Sequence, residues 1–436
     1  MHDRRGEKTL KPKKGWVRFV PTICATVIAT MLTVNLGSHT TYAAEVTPNP
    51  LGIEARSAVL IDADTGQVLY AVDADTAYPP ASMTKLMTEY LVLEEITAGR
   101  LKLTDMVTTS KEAADIPPDG SAIYLAEGDV HSVKDLYMAM AVQSANDATI
   151  ALADHISGTE QAFVVKMNET AKALGLKTAN FTSATGLAET TVISANDLAK
   201  FASILVKKHP EFLEFASTPS YKFRPRDKTE MINLNWMLET NKNVQSFKQF
   251  AYQGVDGMKT GYIGAAGYCF TGTAKRGDLR LISVVMNTAS KSARFVQTAK
   301  LFDYGFNNFE KKTIVAPKTV VETAKTVKIK KGKSKEVPIM TASDVTFLVK
   351  KNATPSIELK NVTLKSEDEL VAPIANGQEV GTATYSYKDP DTGKSIEKTV
   401  KLITSEEVKK ASWWRLMFRA LGGFISGLFK GIVDLF

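Results

Sequence analysis

Between residues 57 and 304 the hydrophobic pattern changes from strand-like to helical and back to strand-like, then closes on a helix. Ala58 to Ile61 and Gln67 to Val72, with partial alternation and a turn at Asp64-Thr65-Gly66 between them, predict a β-hairpin. From Met83 to Ile96 the apolar residues Leu86, Met87, Tyr90, Leu91 and Leu93 fall at helical spacing, entered from an extended Pro79-Pro80. Val133 to Ile156, Gln161 to Leu174 and Asn196 to Lys208 repeat that spacing and predict three more helices. Tyr268 to Ala274 and Leu279 to Met286, joined by Lys275-Arg276-Gly277-Asp278, predict a second hairpin, and Ala293 to Tyr304 a closing helix. Strands at both ends with helices between imply an α+β domain whose sheet joins the two ends.

Residues 313–403 change character. Val327-Lys328-Ile329, Val345 to Val349, Ile357-Glu358-Leu359, Thr382 to Tyr387 and Thr399 to Ile403 follow a period of two, with turns such as Asn376-Gly377 between them. A small β-sandwich without His or Cys is expected there, serving as a spacer or interaction domain. Residues 404–436 then form a linker and a helix. In that helix Trp414, Met417, Leu421, Phe424, Leu428, Ile432 and Leu435 share one face, and Arg415, Arg419, Gly422, Ser426, Lys430 and Asp434 the other. Its longest uncharged run, Ala420 to Phe429, is too short to cross about 30 Å of hydrocarbon. The helix should therefore lie in the plane of a membrane surface, the alternative being a helix packed on the protein itself.

Charge and composition narrow the setting. Of the formal +7, residues 1–18 hold +5 (seven Lys or Arg against Asp3 and Glu7), leaving about +2, so no nucleic-acid partner is expected. The basic opening precedes an uncharged run, Phe19 to Ala44, that ends in Thr41-Tyr42-Ala43-Ala44. This order predicts a secretory signal peptide, residues 1–43, cleaved after Ala43 or after Ala44. An uncleaved membrane anchor is the rival, although Pro21 and several threonines interrupt the run. Cys269 alone remains in the exported chain, so no internal disulfide is possible there. His131, His155 and His209 have no ligand-like spacing; neither metal nor cofactor is expected.

The candidate chemistry begins at Ser82 and Lys85. Three residues apart at a helix start, they share a face, and a neutral amine there can take the serine proton. An ordinary lysine titrates near ~10.4, so Lys85 must lose about three units to burial and a neighbouring cation. Taken alone, Ser-x-x-Lys occurs by chance in many chains, and a serine before a helix is usually only an N-cap. Two further motifs change that: Ser144-Ala145-Asn146, and Lys259-Thr260-Gly261 beyond it. The three in this order mark serine enzymes that react with β-lactams.

On these motifs the chain, over most of residues 45–310, resembles the D-alanyl-D-alanine carboxypeptidases among the serine DD-peptidases. The resemblance implies a β-lactamase/transpeptidase-like fold for residues 44–310 and an acyl-enzyme on Ser82, with Lys85 as base and Ser144 relaying a proton to the leaving amine. Asn146 would hold Lys85 and the substrate amide. Lys259 would depress Lys85 and, with Thr260, draw in a terminal carboxylate, while Gly261 leaves room for substrate. The N–H groups of Ser82 and Tyr262 would form an oxyanion hole, and Arg294 would assist the carboxylate unless it is a helix-surface ion pair. Expected partners are a peptidoglycan stem peptide and β-lactams, at the outer face of a bacterial cytoplasmic membrane. A serine β-lactamase is an alternative, against which no Glu-x-x-Leu-Asn lies between the second and third motifs. A non-catalytic binding module is the other.

Overall fold

The computed structural model describes residues 49–117, 120–352, 354–390, 393 and 395–433; the expected signal peptide lies outside them. A five-stranded antiparallel sheet organises the first part. Its strands are β1 (Ser57–Asp62), β2 (Val68–Val72), β3 (Val255–Ile263), β4 (Gly267–Arg276) and β5 (Leu279–Thr288). They run in the spatial order β2-β1-β5-β4-β3, so the N-terminal hairpin completes a sheet begun by the C-terminal one. Leu60 lies opposite Ser283, and Lys259 opposite Thr271.

Both faces of this sheet are covered. Val59, Ile61, Ile282 and Val284 point into one core, and Ala58, Leu60, Leu281 and Val285 into another, as a period of two requires. That double burial is why these strands read as near-continuous apolar runs. The larger core belongs to helices α1 (Lys85–Thr97), α2 (Val133–Gln143), α3 (Asn146–Ser157), α4 (Glu160–Ala173) and α5 (Ala195–Lys208). Helix α6 (Ala293–Asn308) covers the other face with Phe295, Leu301 and Phe302.

Two elements depart from the sequence pattern. Val133 to Ile156 is two helices, because Ser144 turns left-handed at φ +62 and Ala145 N–H reaches back to Ala139 O. Apolar spacing continues across the break and conceals it. Strand β3 is hidden for a different reason: Lys259 and Thr260 occupy buried positions in it, which erases the apolar run.

After α6 the chain enters β6 (Phe309–Val315), β7 (Thr326–Lys328), β8 (Glu336–Thr341), β9 (Val345–Lys350), β10 (Ile357–Leu364), β11 (Glu379–Lys388) and β12 (Ser395–Thr404). A sheet of order β7-β8-β12-β11-β10 and the pair β6-β9 enclose Val337, Ile339, Phe347, Val380 and Leu402. Gln67 Nε2 donates to Asp389 Oδ2 at 3.0 Å, and Lys351 Nζ to Phe306 O at 2.9 Å, tying this part to the first.

Helix α7 (Trp413–Val433) ends the described chain. Trp413, Trp414, Met417, Phe418, Leu421 and Phe424 are exposed, and the two indoles stack with centroids 3.7 Å apart. Arg419, placed by its spacing on the solvent side, instead donates to Gly332 O and Lys333 O at 2.8 and 3.0 Å. No helix among the described residues is long and apolar enough to cross a membrane.

Gly186 fixes the approach of the loop after α4 to the start of α1. At φ +78, an added Cβ would stand 2.0 Å from Ala81 O. Gly186→Ala is therefore expected to destabilise the protein by on the order of 2 kcal/mol or more, read as a lowered Tm in thermal unfolding.

Candidate active site

The approach to Ser82 is more sharply bent than two prolines alone suggest. Pro80 adopts φ −84, ψ −6, not an extended conformation, and Ala81 follows at φ +50. A non-glycine residue there stores roughly 1–3 kcal/mol of strain, which the surrounding contacts must hold. Pro80 O accepts from Met83 N–H, and Met83, fully buried, accepts from Thr271 Oγ1 of β4. Ala81–Thr84 forms a short 3-10 turn that runs into α1. No side chain caps it, so Ser82 is not an N-cap residue.

Ser82 Oγ faces Lys85 instead. The lysine Nζ lies 3.0 Å from Ser82 Oγ, 2.7 Å from Asn146 Oδ1 and 2.9 Å from Thr185 O. Asn146 and Thr185 supply acceptors only, so a neutral amine can serve them with its two N–H bonds and turn its lone pair toward the serine hydroxyl. Lys85 is wholly buried, and its pKa is held well below the ordinary lysine value, first by burial and then by repulsion from Lys259. Glu89, Asp147 and Glu160 pull it the other way and are outweighed.

The break between α2 and α3 delivers the second motif. Ser144 ends one helix and Asn146 begins the next, with Asn146 N–H anchored on Ser121 O at 2.7 Å. Ser144 is 2% exposed, and its hydroxyl has no hydrogen-bond partner among the described residues.

Strand β3, at the sheet edge, brings the third motif against the Ser82 segment. A Cβ on Gly261 would stand 2.6 Å from Pro80 O, so this glycine is needed for packing of the strand on the nucleophile turn. Lys259 is buried with Nζ 3.4 Å from Thr260 O, and its pKa is lowered, chiefly by burial. Arg294 is buried too, donating to Gly261 O at 3.3 Å, with its pKa lowered to about 10 by burial. It still carries its charge at neutral pH. The helix-surface ion pair is not what the structure shows: Arg294 makes no salt bridge among the described residues.

These groups surround a cleft of about 660 Å³ lined by Ser82, Ser144, Asn146, Thr260, Gly261, Tyr262 and Arg294. Lys85 and Lys259 lie beneath that lining. Tyr262 is exposed and stacks on Tyr268 at 4.4 Å, forming one wall. Sequence reasoning missed Lys291 and Trp236, which also line the cleft, and the carbonyl of Thr185. A backbone acceptor has no residue signature. Lys291, three residues before Arg294, had only proximity to mark it.

No group of three or more His, Cys, Asp or Glu among the described residues is arranged to hold a metal ion. The arrangement sets a serine hydroxyl against a buried amine, in a cleft whose lining includes Lys291 and Arg294.

Residues 43–290 match the family described as D-alanyl-D-alanine carboxypeptidase, and residues 309–410 match Penicillin-binding protein 5, C-terminal domain. D-alanyl-D-alanine carboxypeptidase DacF of Bacillus subtilis is 38% identical over 85% of this chain and 90% of its own. The crystal structure of penicillin binding protein 5 from Haemophilus influenzae is similar at a TM-score of 0.65 and 32% identity, over 84% of this chain and 100% of that one. Penicillin-Binding Protein D2 from Listeria monocytogenes, in its cefotaxime-bound form, matches at a TM-score of 0.52 and 35% identity, over 60% of this chain and all of that one. The chain belongs to the D-alanyl-D-alanine carboxypeptidases, the serine-type hydrolases of the cell wall.

Proposed function

We propose that this enzyme removes the terminal D-alanine from peptidoglycan pentapeptide stems through an acyl-enzyme on Ser82. The observation that carries the reading is the 3.0 Å contact between Ser82 Oγ and a buried Lys85 whose other two contacts are acceptors. Ser82 Oγ attacks the carbonyl of the penultimate D-alanine and its proton passes to Lys85. The peptide C–N bond breaks and Ser144, whose hydroxyl is otherwise unpartnered, relays a proton to the departing amine. Water then cleaves the ester and releases the shortened stem.

Thr260 and Arg294 at the cleft rim suit the substrate's terminal carboxylate, with Lys259 adding positive potential from below. Asn146 Nδ2 is free to face the substrate amide because Oδ1 is engaged by Lys85. By the family resemblance the N–H groups of Ser82 and Tyr262 would form the oxyanion hole, a device worth about 2.7–4 kcal/mol per donor. β-Lactams enter by the same attack.

The enzyme works outside the cell, exported by residues 1–43 and held at the membrane surface by α7. The exposed apolar face of that helix supports this reading, since six large side chains at roughly 1.5 kcal/mol each suffice for attachment. Residues 44–310 are the catalytic domain and 313–403 a β-rich spacer.

Release of D-alanine from a D-alanyl-D-alanine peptide, with mass mapping of a penicillin adduct, tests the assignment: an adduct on any residue but Ser82 overturns it. Lys85→Met, with the fold retained, is expected to lower acylation by about 10²- to 10⁴-fold, the range of a positioned base. Acylation should fall as pH drops, because Lys85 is active only when neutral. Its depressed pKa places that loss well below the pH at which an ordinary lysine protonates. Truncation after Ser412 should release the signal-cleaved enzyme from membranes with peptidase activity intact; sedimentation with membranes after truncation would refute the anchor.

A further inference from the structure

Beneath the cleft lies an acidic group that this mechanism leaves unused. Glu89 is one helical turn beyond Lys85 on α1, so both leave the same face. Glu89 is 1% exposed, and its Oε1 has no hydrogen-bond partner among the described residues. On the facing helix α2, which ends at Ser144, the Tyr137 hydroxyl is also buried without a partner among the described residues. Glu89 and Tyr137 are thus two buried, unpartnered polar groups in the helical layer behind the cleft, and the charge of Glu89 acts on Tyr137.

A carboxyl group in such a place is ionised only if a cation compensates it. Burial pushes the Glu89 pKa up to about 7, against two cations that favour its ionised form, Lys259 more strongly than Lys85. Tyr137, from α2, is the remaining titratable neighbour, and its own pKa is raised by burial. Seen from Lys259, Glu89 is the favourable charge and Arg294 an unfavourable one. Lys85 also feels Asp147 and Glu160. Two lysines cannot both stay charged in this interior, and with Glu89 ionised one of them can.

We propose that Glu89 is a positioning residue of this peptidase, the internal counter-charge that keeps Lys259 protonated beneath the cleft while Lys85 is neutral and able to take the Ser82 proton. The inference rests on the serine acyl-enzyme reading given above. Glu89 acts on both lysines, and the two differ in their contacts: Lys85 Nζ is held by the neutral oxygens of Ser82, Asn146 and Thr185, whereas Lys259 Nζ has only Thr260 O at 3.4 Å among the described residues.

Glu89→Gln keeps the shape and removes the charge. Glu89 raises the proton affinity of both lysines, so its loss lowers both. The acid limb of the acylation profile, set by Lys85 losing its proton, and the alkaline limb, set by Lys259 losing its own, therefore both move to lower pH. The experiment measures the acylation rate with a fluorescent penicillin from mildly acid to alkaline pH for the wild type, E89Q and E89D, with Tm and titrated adduct per protein checking the fold. E89Q is expected to match or exceed the wild type at mildly acid pH. On the alkaline side it should fall by about tenfold, the consequence of a shift of roughly one pH unit, with E89D restoring most of the loss.

A profile for E89Q that differs from the wild type only by a uniform factor, its limbs unmoved, overturns the proposal and leaves Glu89 a packing residue. If E89Q does not fold, E89D alone carries the test: its alkaline limb should move the same way by less, and an unmoved limb overturns the idea. A wild type that is not labelled on Ser82 refutes the acyl-enzyme reading itself, and this proposal with it.

Discussion

An amine buried against a hydroxyl is the constraint on which the rest of this molecule depends. Lys85 serves as a base only if water is kept from it, and its 0% exposure is achieved by packing α1 between the sheet and the other helices. Each contact to its Nζ comes from a different part of the chain: Ser82 from the preceding turn, Asn146 from α3, Thr185 from the loop after α4. Burial is the largest influence on its pKa, and Lys259 the second. The family's three motifs are thus the visible surface of a dry compartment whose walls are ordinary apolar packing.

That compartment accounts for several oddities of backbone. Ala81 at φ +50 and Ser144 at φ +62 are both non-glycine residues in left-handed conformations, and both adjoin reactive side chains. The first aims Ser82 across the cleft, and the second breaks a helix to present Ser144 and Asn146. Gly186 and Gly261 lie against the same short turn, each where a methyl group would collide with Ala81 O or Pro80 O. Strain and close approach are concentrated where the nucleophile is held.

The cleft is built on the first sheet, and among the described residues β6 to β12 add none to its lining. The β-rich part has a core of its own, and it is joined to the first part by Leu348 of β9, which packs in the core under α6, and by Gln67 with Asp389 and Lys351 with Phe306 O. Arg419 in turn fastens α7 to the loop between β7 and β8, at Gly332 and Lys333, while the apolar face of α7 stays exposed.

What the sequence determined by itself was the α+β class, the two hairpins and the three short motifs, because alternation, turn residues and nucleophile chemistry are local properties. It also marked Ser82, Lys85, Ser144, Asn146, Lys259, Thr260, Gly261, Tyr262 and Arg294, which the fold gathers in or beneath one cleft. The break at Ser144 and strand β3 escaped because apolar periodicity runs through the first and polar residues interrupt the second. Glu89 stood on the buried stripe of a helix, a legible anomaly whose meaning needed its neighbours. Only the tertiary structure decided that Arg294 is buried, that Lys259 lies beneath the lining, and that a carbonyl at Thr185 completes the lysine's contacts. These depend on which distant segments exclude water together, and no local pattern records that.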